Sequence, residues 1–271
     1  MKIHPTAIIE DGSQLGEDVE VGAHALIGPE AIIGNGCVIQ ANAVVIGPVS
    51  MGERNLIGFG AVIGAAPQDL SHHPGIQSRV RIGDRNTFRE HVTIHRGALD
   101  GSETVVGDDN FLMVGTHIGH NGRVGNRTII ANQCLLAGHV EIHDGAVLGG
   151  GAMFHQFMRV GRLTMIRGGA RLGKDVPPFT VADDHNLLCG INVIGLRRNA
   201  ISPASRMEIK RAYRTIFRGS LSVREALTAA LAEDWGDEAR EFLEFIQESR
   251  RGVSTANVPR RGLEREGDAA E

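Results

Sequence analysis

Twelve histidines are spread unevenly along this chain. Five of them, His117, His120, His139, His143 and His155, fall close together in the middle third. A neutral imidazole is the side chain best matched to taking a proton from a hydroxyl near pH 7. Gly138 precedes His139, and Gln156 follows His155. His120, Gly138 and Gln156 are spaced 18 apart. A fold that repeats every 18 residues would stack them on one edge, with His139 and His155 alongside. Such an edge would hold a general-base imidazole and polar neighbours to orient it. It would also hold a glycine whose N–H can stabilise an oxyanion. The competing reading is that exposed turns tolerate histidine without consequence. Zinc is a third reading, because His117 and His120 are close, but no cysteine or acid completes a ligand set. No metal is expected.

A period of 18 is what the rest of the chain implies. Every sixth residue is aliphatic from Ile9 through Leu15, Val21, Ile27 and onward to Ile63. The beat returns through Ile82, Phe88 and Ile94, then from Val106 to Leu172. Glycine commonly follows the aliphatic residue, and a small residue commonly stands two before it. Six matches neither a helical face nor an alternating strand. It marks hexapeptide repeats, three to a coil. The expected fold is mainly β, a left-handed parallel β-helix with a C-terminal α-helical domain. About 25 hexads give about eight coils, stacked about 4.8 Å apart.

The β-helix is expected over residues 1–178, with external loops at 65–79 and 98–103. The first loop is polar and carries Pro67, Pro74 and Gly75, and a loop of that length in a compact repeat suggests function. The second replaces one hexad and places Asp100 where the beat wants an aliphatic residue. Residues 179–200 read as a connector and 201–252 as a helical domain. In that domain Ser202 caps a helix that has Pro203 at its first position, and Ser222 caps the next. A third helix is expected over 237–251. From 253 to 271 the composition is that of a polar, frayed tail.

Composition narrows the function classes. The formal net charge is −4, which argues against nucleic acid as a partner. The high glycine count, 36, and the 4% aromatic content suit a solenoid. Cys37, Cys134 and Cys189 have no metal spacing, and the first two occupy small-residue positions. No signal-like segment and no apolar run of spanning length is present, so the chain reads as cytoplasmic with no integral membrane segment. A solenoid edge is convex, and pairing edges around a threefold axis would create clefts beside the histidines.

Several runs together resemble one known family over Met1 to about Arg251. They are Pro67-Gln68-Asp69-Leu70, Thr93-Ile94-His95-Arg96-Gly97, His117-Ile118-Gly119-His120, Leu136-Ala137-Gly138-His139-Val140 and His155-Gln156-Phe157. Asp175-Val176-Pro177-Pro178, Gly190-Ile191-Asn192 and Gly195-Leu196-Arg197-Arg198 continue the match. The chain resembles the UDP-N-acetylglucosamine O-acyltransferases of lipid A synthesis. The resemblance implies a homotrimer and no cofactor. It implies a 3-hydroxyacyl donor on acyl carrier protein and transfer to the 3-hydroxyl, or 3-amino group, of a UDP-amino sugar. It makes His120 the general base and Gly138 N–H the oxyanion donor. Gln68 and Asp69 would contact the sugar or acyl group. His117, His139, His155 and Gln156 would line the sugar-diphosphate cleft, with Asn121 orienting His120 and His95 nearby. Asn192 and Arg198 would serve the nucleotide end. Lys210, Arg211, Arg214 and Arg218 could receive the acidic carrier protein.

Three positions depart from the family pattern. Ser71 stands where a lysine is usual, Asn121 where an acid is usual, and Ile194 where a glutamate is usual. They leave two other readings open. One is a related hexapeptide acyl- or acetyltransferase acting on a different nucleotide sugar. The other is a non-catalytic relative that binds a nucleotide sugar or the carrier protein.

Overall fold

The aliphatic beat folds as a triangular prism. The computed structural model describes residues 1–256. Short strands separated by two-residue corners alternate among three parallel sheets of 12, 9 and 8 strands, here called faces one, two and three in the order the chain visits them. The architecture is a left-handed parallel β-helix. Register within a face steps by 18 residues, as in Leu26 beside Val44 and His117 beside Leu135. Where a loop intervenes the step becomes 24 or 31, as in Thr93 beside His117 and Val62 beside Thr93.

Each aliphatic residue of the beat points inward. Ile27, Ile63, Ile94, Ile118, Leu112 and Ile130 are fully buried, and burying a side chain of this kind stabilises by about 1.5–3 kcal/mol. The small residues two before them, such as Ala25, Cys37 and Cys134, are also buried. At the corner between faces three and one this position is polar in four successive coils, and it builds an internal ladder. Asn55 Oδ1 accepts from the backbone N–H and Nδ2 of Asn86, both at 2.9 Å. Asn86 Oδ1 does the same for Asn110, and Asn110 Oδ1 accepts from Thr128 Oγ1 at 2.7 Å. All four residues are buried, and the rungs satisfy one another.

The outward residues differ by face. Face one shows Val38, Leu56, Phe111, Ile129 and Val147, and face two shows Leu26, Val44, Val62, Leu135 and Met153. Face three shows Arg81, Arg123, Glu141 and Arg159 instead.

Both long loops leave the prism at the corner between faces two and three. The first joins strands Val62–Ala65 and Arg79–Ile82, and the second joins Thr93–His95 and Glu103–Val106. They hold each other: Gln77 N–H donates to Asp100 Oδ1 at 2.9 Å, and Gly101 N–H donates to Gln77 O at 2.7 Å.

Residues 179–200 are more ordered than a connector. Strands Thr180–Asp183 and Leu187–Ile191 form an antiparallel hairpin that extends face one and closes the prism. Its turn holds His185 and Asn186 at positive φ, which suits the twist of a tight hairpin. The short helix α1, Val193–Arg198, follows.

Helix α2 spans Pro203–Arg218, with Ser202 accepting from Ser205 N–H and proline in the first turn. Helix α3, Val223–Ala230, starts on a capping box of Ser222 and Glu225. Helix α4, Asp237–Gln247, is shorter than the expected 237–251. The chain leaves it to bring Ser249 Oγ within 2.8 Å of buried Asp175. That carboxylate also accepts from Arg159 N–H and Nε, so it ties the chain after α4 to the end of the prism. α4 packs on face three through Arg162 with Glu241 and through Phe245 with His143. The expected tail does not begin at residue 253. Val253 and Ser254 are buried, and Thr255–Ala256 pairs in parallel with Leu187–Leu188. Residues 257–271 of that expectation lie outside the described residues.

Candidate active site

The two–three corner positions the site. Its coils place His120 below Gly138 and Gly138 below Gln156, following the pairing of Ile118 with Leu136 and of Leu136 with Phe154. Asn121, His139 and Phe157 form the adjoining column. His139 N–H donates to His120 O at 2.9 Å, and Phe157 N–H donates to Gly138 O at 3.1 Å.

His120 is half-buried. Its Nδ1 lies 3.0 Å from Asn121 Oδ1, and that same oxygen accepts the Ala98 N–H at 2.9 Å. A backbone N–H can only donate, so the atom is the amide oxygen. Nδ1 therefore carries the proton and Nε2 keeps its lone pair. Asn121 is fixed in turn by its own N–H, which donates to Thr104 Oγ1 at 2.8 Å. The amide thus selects a tautomer with a free, basic Nε2.

Gly138 is required by space. A Cβ there would lie 2.5 Å from both Cε1 and Nε2 of His120. The Gly138 N–H has no hydrogen-bond acceptor among the described residues. A free N–H and a free imidazole nitrogen thus share one corner.

Asp69, on the first loop, accepts from the Ser71 N–H at 2.9 Å and the Ser71 hydroxyl at 2.8 Å. These bonds hold its carboxyl below the usual carboxylate range, and the charges of His120 and His72 lower it further. The carboxylate therefore stays ionised at the histidine cluster. It also acts on His139, whose pKa is lowered by burial first and by the charge of His120 second, while Asp69 and Glu141 oppose the shift. Ser71 thus orients Asp69.

The other imidazoles form a packed array. His120 and His139 meet edge to face, with centroids 5.2 Å apart, and His139 stacks on Phe157 at 4.5 Å. His117 Nδ1 lies 2.7 Å from Thr93 Oγ1, and burial lowers its pKa. His95 meets His117 edge to face at 5.0 Å. It is buried, its Nδ1 has no partner among the described residues, and burial pushes its pKa down to about 4. These rings stay neutral around His120. Two open clefts flank His139 on face three. One, of about 430 Å³, is lined by Arg79, Asn121 and Arg123, and the other, of about 880 Å³, by Phe157, Arg159, Arg250 and Arg251.

Not every expected residue joins this cluster. Gln68 and Gln156 are exposed, in the loop and at the top of the His120 column. His155 is exposed and bonds only the Gln156 carbonyl, at 3.2 Å. The register puts it in the column of Gly119 and Ala137, beside that of His120. His143 follows the face-three strand Glu141–Ile142, is half-buried, and meets Phe245 of α4 edge to face at 5.7 Å, so it serves domain packing. Asn192 caps α1 by accepting the Gly195 N–H at 3.0 Å, and it donates to Leu163 O at 2.9 Å. Leu163 stands at the three–one corner, so Asn192 and exposed Arg198 lie at a different edge from His120 within one chain. Ile194, 66% exposed, is there too. Sequence reading overlooked Thr93, Thr104 and the role of Ser71. The signal for the two threonines was their distance of 24 and 17 residues from His117 and Asn121.

Among the described residues no group of three or more metal-ligating side chains is present, and no helix is long and apolar enough to cross a membrane.

Comparisons with known proteins span nearly the whole chain. A profile described as UDP-N-acetylglucosamine O-acyltransferase, domain 2, matches residues 175–254, and a six-repeat bacterial transferase hexapeptide profile matches residues 30–65. The chain is 42% identical over 259 residues to the acyl-[acyl-carrier-protein]–UDP-N-acetylglucosamine O-acyltransferase of Burkholderia orbicola, covering 93% of this chain and 98% of that protein. Among solved structures, the UDP-N-acetylglucosamine acyltransferase from Bacteroides fragilis aligns with a TM-score of 0.89 at 40% identity, covering 92% of this chain and 98% of that one. The enzyme from Campylobacter jejuni aligns with a TM-score of 0.88 at 36% identity, covering 94% and 99%.

Proposed function

The chain belongs to the UDP-N-acetylglucosamine O-acyltransferase family, and from that premise we propose how its corner residues carry out acyl transfer. The protein is an acyltransferase of lipid A biosynthesis that moves an acyl group from acyl carrier protein to UDP-N-acetylglucosamine. We take the donor to be a 3-hydroxyacyl thioester and the acceptor atom to be the sugar 3-hydroxyl.

His120 Nε2 removes the hydroxyl proton as the oxygen attacks the thioester carbonyl. The Gly138 N–H holds the tetrahedral oxyanion. Collapse breaks the carbon–sulfur bond, and the imidazolium returns its proton to the departing thiolate of the carrier protein. No covalent enzyme intermediate, metal or cofactor is needed. Asn121 sets the tautomer but carries no charge. Asp69 supplies the negative charge that favours the imidazolium. A carboxylate held by Ser71 thus does what an acid in place of Asn121 would do. The single observation that carries this reading is the Asn121 oxygen shared between the Ala98 N–H and His120 Nδ1.

The working unit is a homotrimer. The apolar outward residues of faces one and two support it, because a monomer leaves such patches in water, whereas face three is already charged. A neighbouring chain is also the means by which the Asn192 and Arg198 edge could meet the His120 edge. The donor protein docks on the helical domain. There an apolar floor of Ile191, Val193 and Met207 is rimmed by Arg197, Arg206, Lys210 and Arg214, which complements an acidic carrier. All three cysteines are unpaired, which supports a reducing, cytoplasmic location.

The test is mass spectrometry of products from a panel of UDP-sugars offered acyl carrier protein thioesters or acetyl-coenzyme A. The expected result is an O-acylated UDP-N-acetylglucosamine formed from the carrier-protein donor. Product formed only from acetyl-coenzyme A would overturn the donor assignment.

A further inference from the structure

An exposed aromatic ring occupies a corner position whose backbone is left-handed in coil after coil. Phe157 has φ +66°, a left-handed conformation that is costly for a bulky side chain because Cβ crowds the backbone. In the two coils before it, the same corner position holds His139 and Asn121, each with φ +60°. Asparagine and histidine tolerate this region better than phenylalanine does. Exposed corners elsewhere give this conformation to flexible polar side chains, as at Arg54, Arg85, Arg127 and Gln133, whereas the other bulky apolar cases, Leu163 at φ +54° and Phe179 at φ +68°, are buried. Phe157 is 52% exposed.

What its ring does touch is His139. The two rings stack at 4.5 Å and 21°, and His139 in turn presents an edge to His120 at 5.2 Å and 89°. We propose that Phe157 is a positioning residue, which clamps the His139 ring edge-on to the general base. The inference rests on the reading of His120 as that base. The stack also covers one face of His139 from water. The ionisable groups facing His139 are His120 on the preceding coil, Asp69 from the loop and Glu141 on its own coil, with Arg79, Glu103 and Arg123 around one flanking cleft and Arg159, Asp175, Glu248, Arg250 and Arg251 around the other. A second positive charge on His139 would oppose protonation of His120, so shielding His139 from water favours the base.

Phe157→Gly tests this, because it removes the ring while relieving the left-handed strain. Its thermal midpoint should match or exceed the wild type's. Turnover should fall about 10-fold from loss of alignment, with the KM for UDP-N-acetylglucosamine little changed. The acid limb of the kcat/KM–pH profile should move to higher pH, as His139 gains water and titrates nearer its ordinary range. Phe157→Trp keeps a stacking surface and should restore turnover and the profile. His120→Ala is assayed alongside. If it is inactive while Phe157→Gly keeps wild-type turnover and pH profile, the role of Phe157 is overturned. A loss in Phe157→Gly that merely tracks a lower thermal midpoint overturns it as well. Full activity of His120→Ala overturns the general-base reading itself.

Discussion

Two corners of the same prism are built to opposite rules. At the three–one corner the polar side chains face inward and saturate one another from Asn55 to Thr128. Outside that corner, Asp84, Asp108, Asn126 and Asp144 each accept a backbone N–H from the coil below. At the two–three corner both loops emerge. There the Gly138 N–H, His120 Nε2 and buried His95 Nδ1 are without partners among the described residues. A repeat fold can afford one unsatisfied edge when another is fully bonded. The difference separates groups that hold the coils from groups left free for substrate.

Substitutions should therefore split cleanly between activity and stability. Gly138→Ala should act on activity. A methyl group there would displace the His120 ring, and turnover should fall about 10²-fold, as for a misplaced reacting group. Its thermal midpoint should stay near wild type, and steady-state kinetics beside calorimetry would show the split. A Gly138→Ala enzyme with normal turnover would break the contrast between corners.

Asn86→Ala is the converse. It leaves the Asn110 backbone N–H without an acceptor in the core, while Asn55 Oδ1 keeps the backbone N–H of residue 86, at a cost of about 1–3 kcal/mol. The folded fraction should keep its kcat, as measured by chemical denaturation and active-site-normalised kinetics.

The smallest expected effect is a pH dependence at the free corner. The folded pKa of His95 is about 4, below the unfolded value near 6.5. The unfolded chain then binds more protons between those limits, so stability is full above about pH 6.5 and declines as pH falls toward 4. Replacing His95 with Gln should flatten that decline by roughly 2–3 kcal/mol. Unfolding at pH 7 and pH 4.5 would measure it, and an unchanged slope would mean that His95 is not held neutral by burial.

Much of this was legible in the amino-acid order, because a solenoid converts distance along the chain into height. The 18-residue step brought His120 and Gly138 together on paper as it does in space. The six-residue beat would have revealed the ladder, since Asn55, Asn86 and Asn110 stand two before inward residues where small ones are usual. Polar residues at an inward position read as exceptions until hydrogen bonding shows them pairing with each other. The step also locates His155 one column from His120 once strand ends are known, but hexads alone do not say where a corner begins. The hairpin at residues 180–191 and the docked strand at 255–256 rest on tertiary pairing of segments far apart in sequence. No local periodicity announces them. Asn192 shows the reverse, a motif residue whose immediate work is capping a helix.

The most direct test is the acyl-transfer rate of His120→Ala with a carrier-protein thioester and UDP-N-acetylglucosamine. The account predicts a loss of about 10²–10⁴-fold in kcat with the fold intact by circular dichroism and an unchanged thermal midpoint. Wild-type turnover in that variant would contradict it.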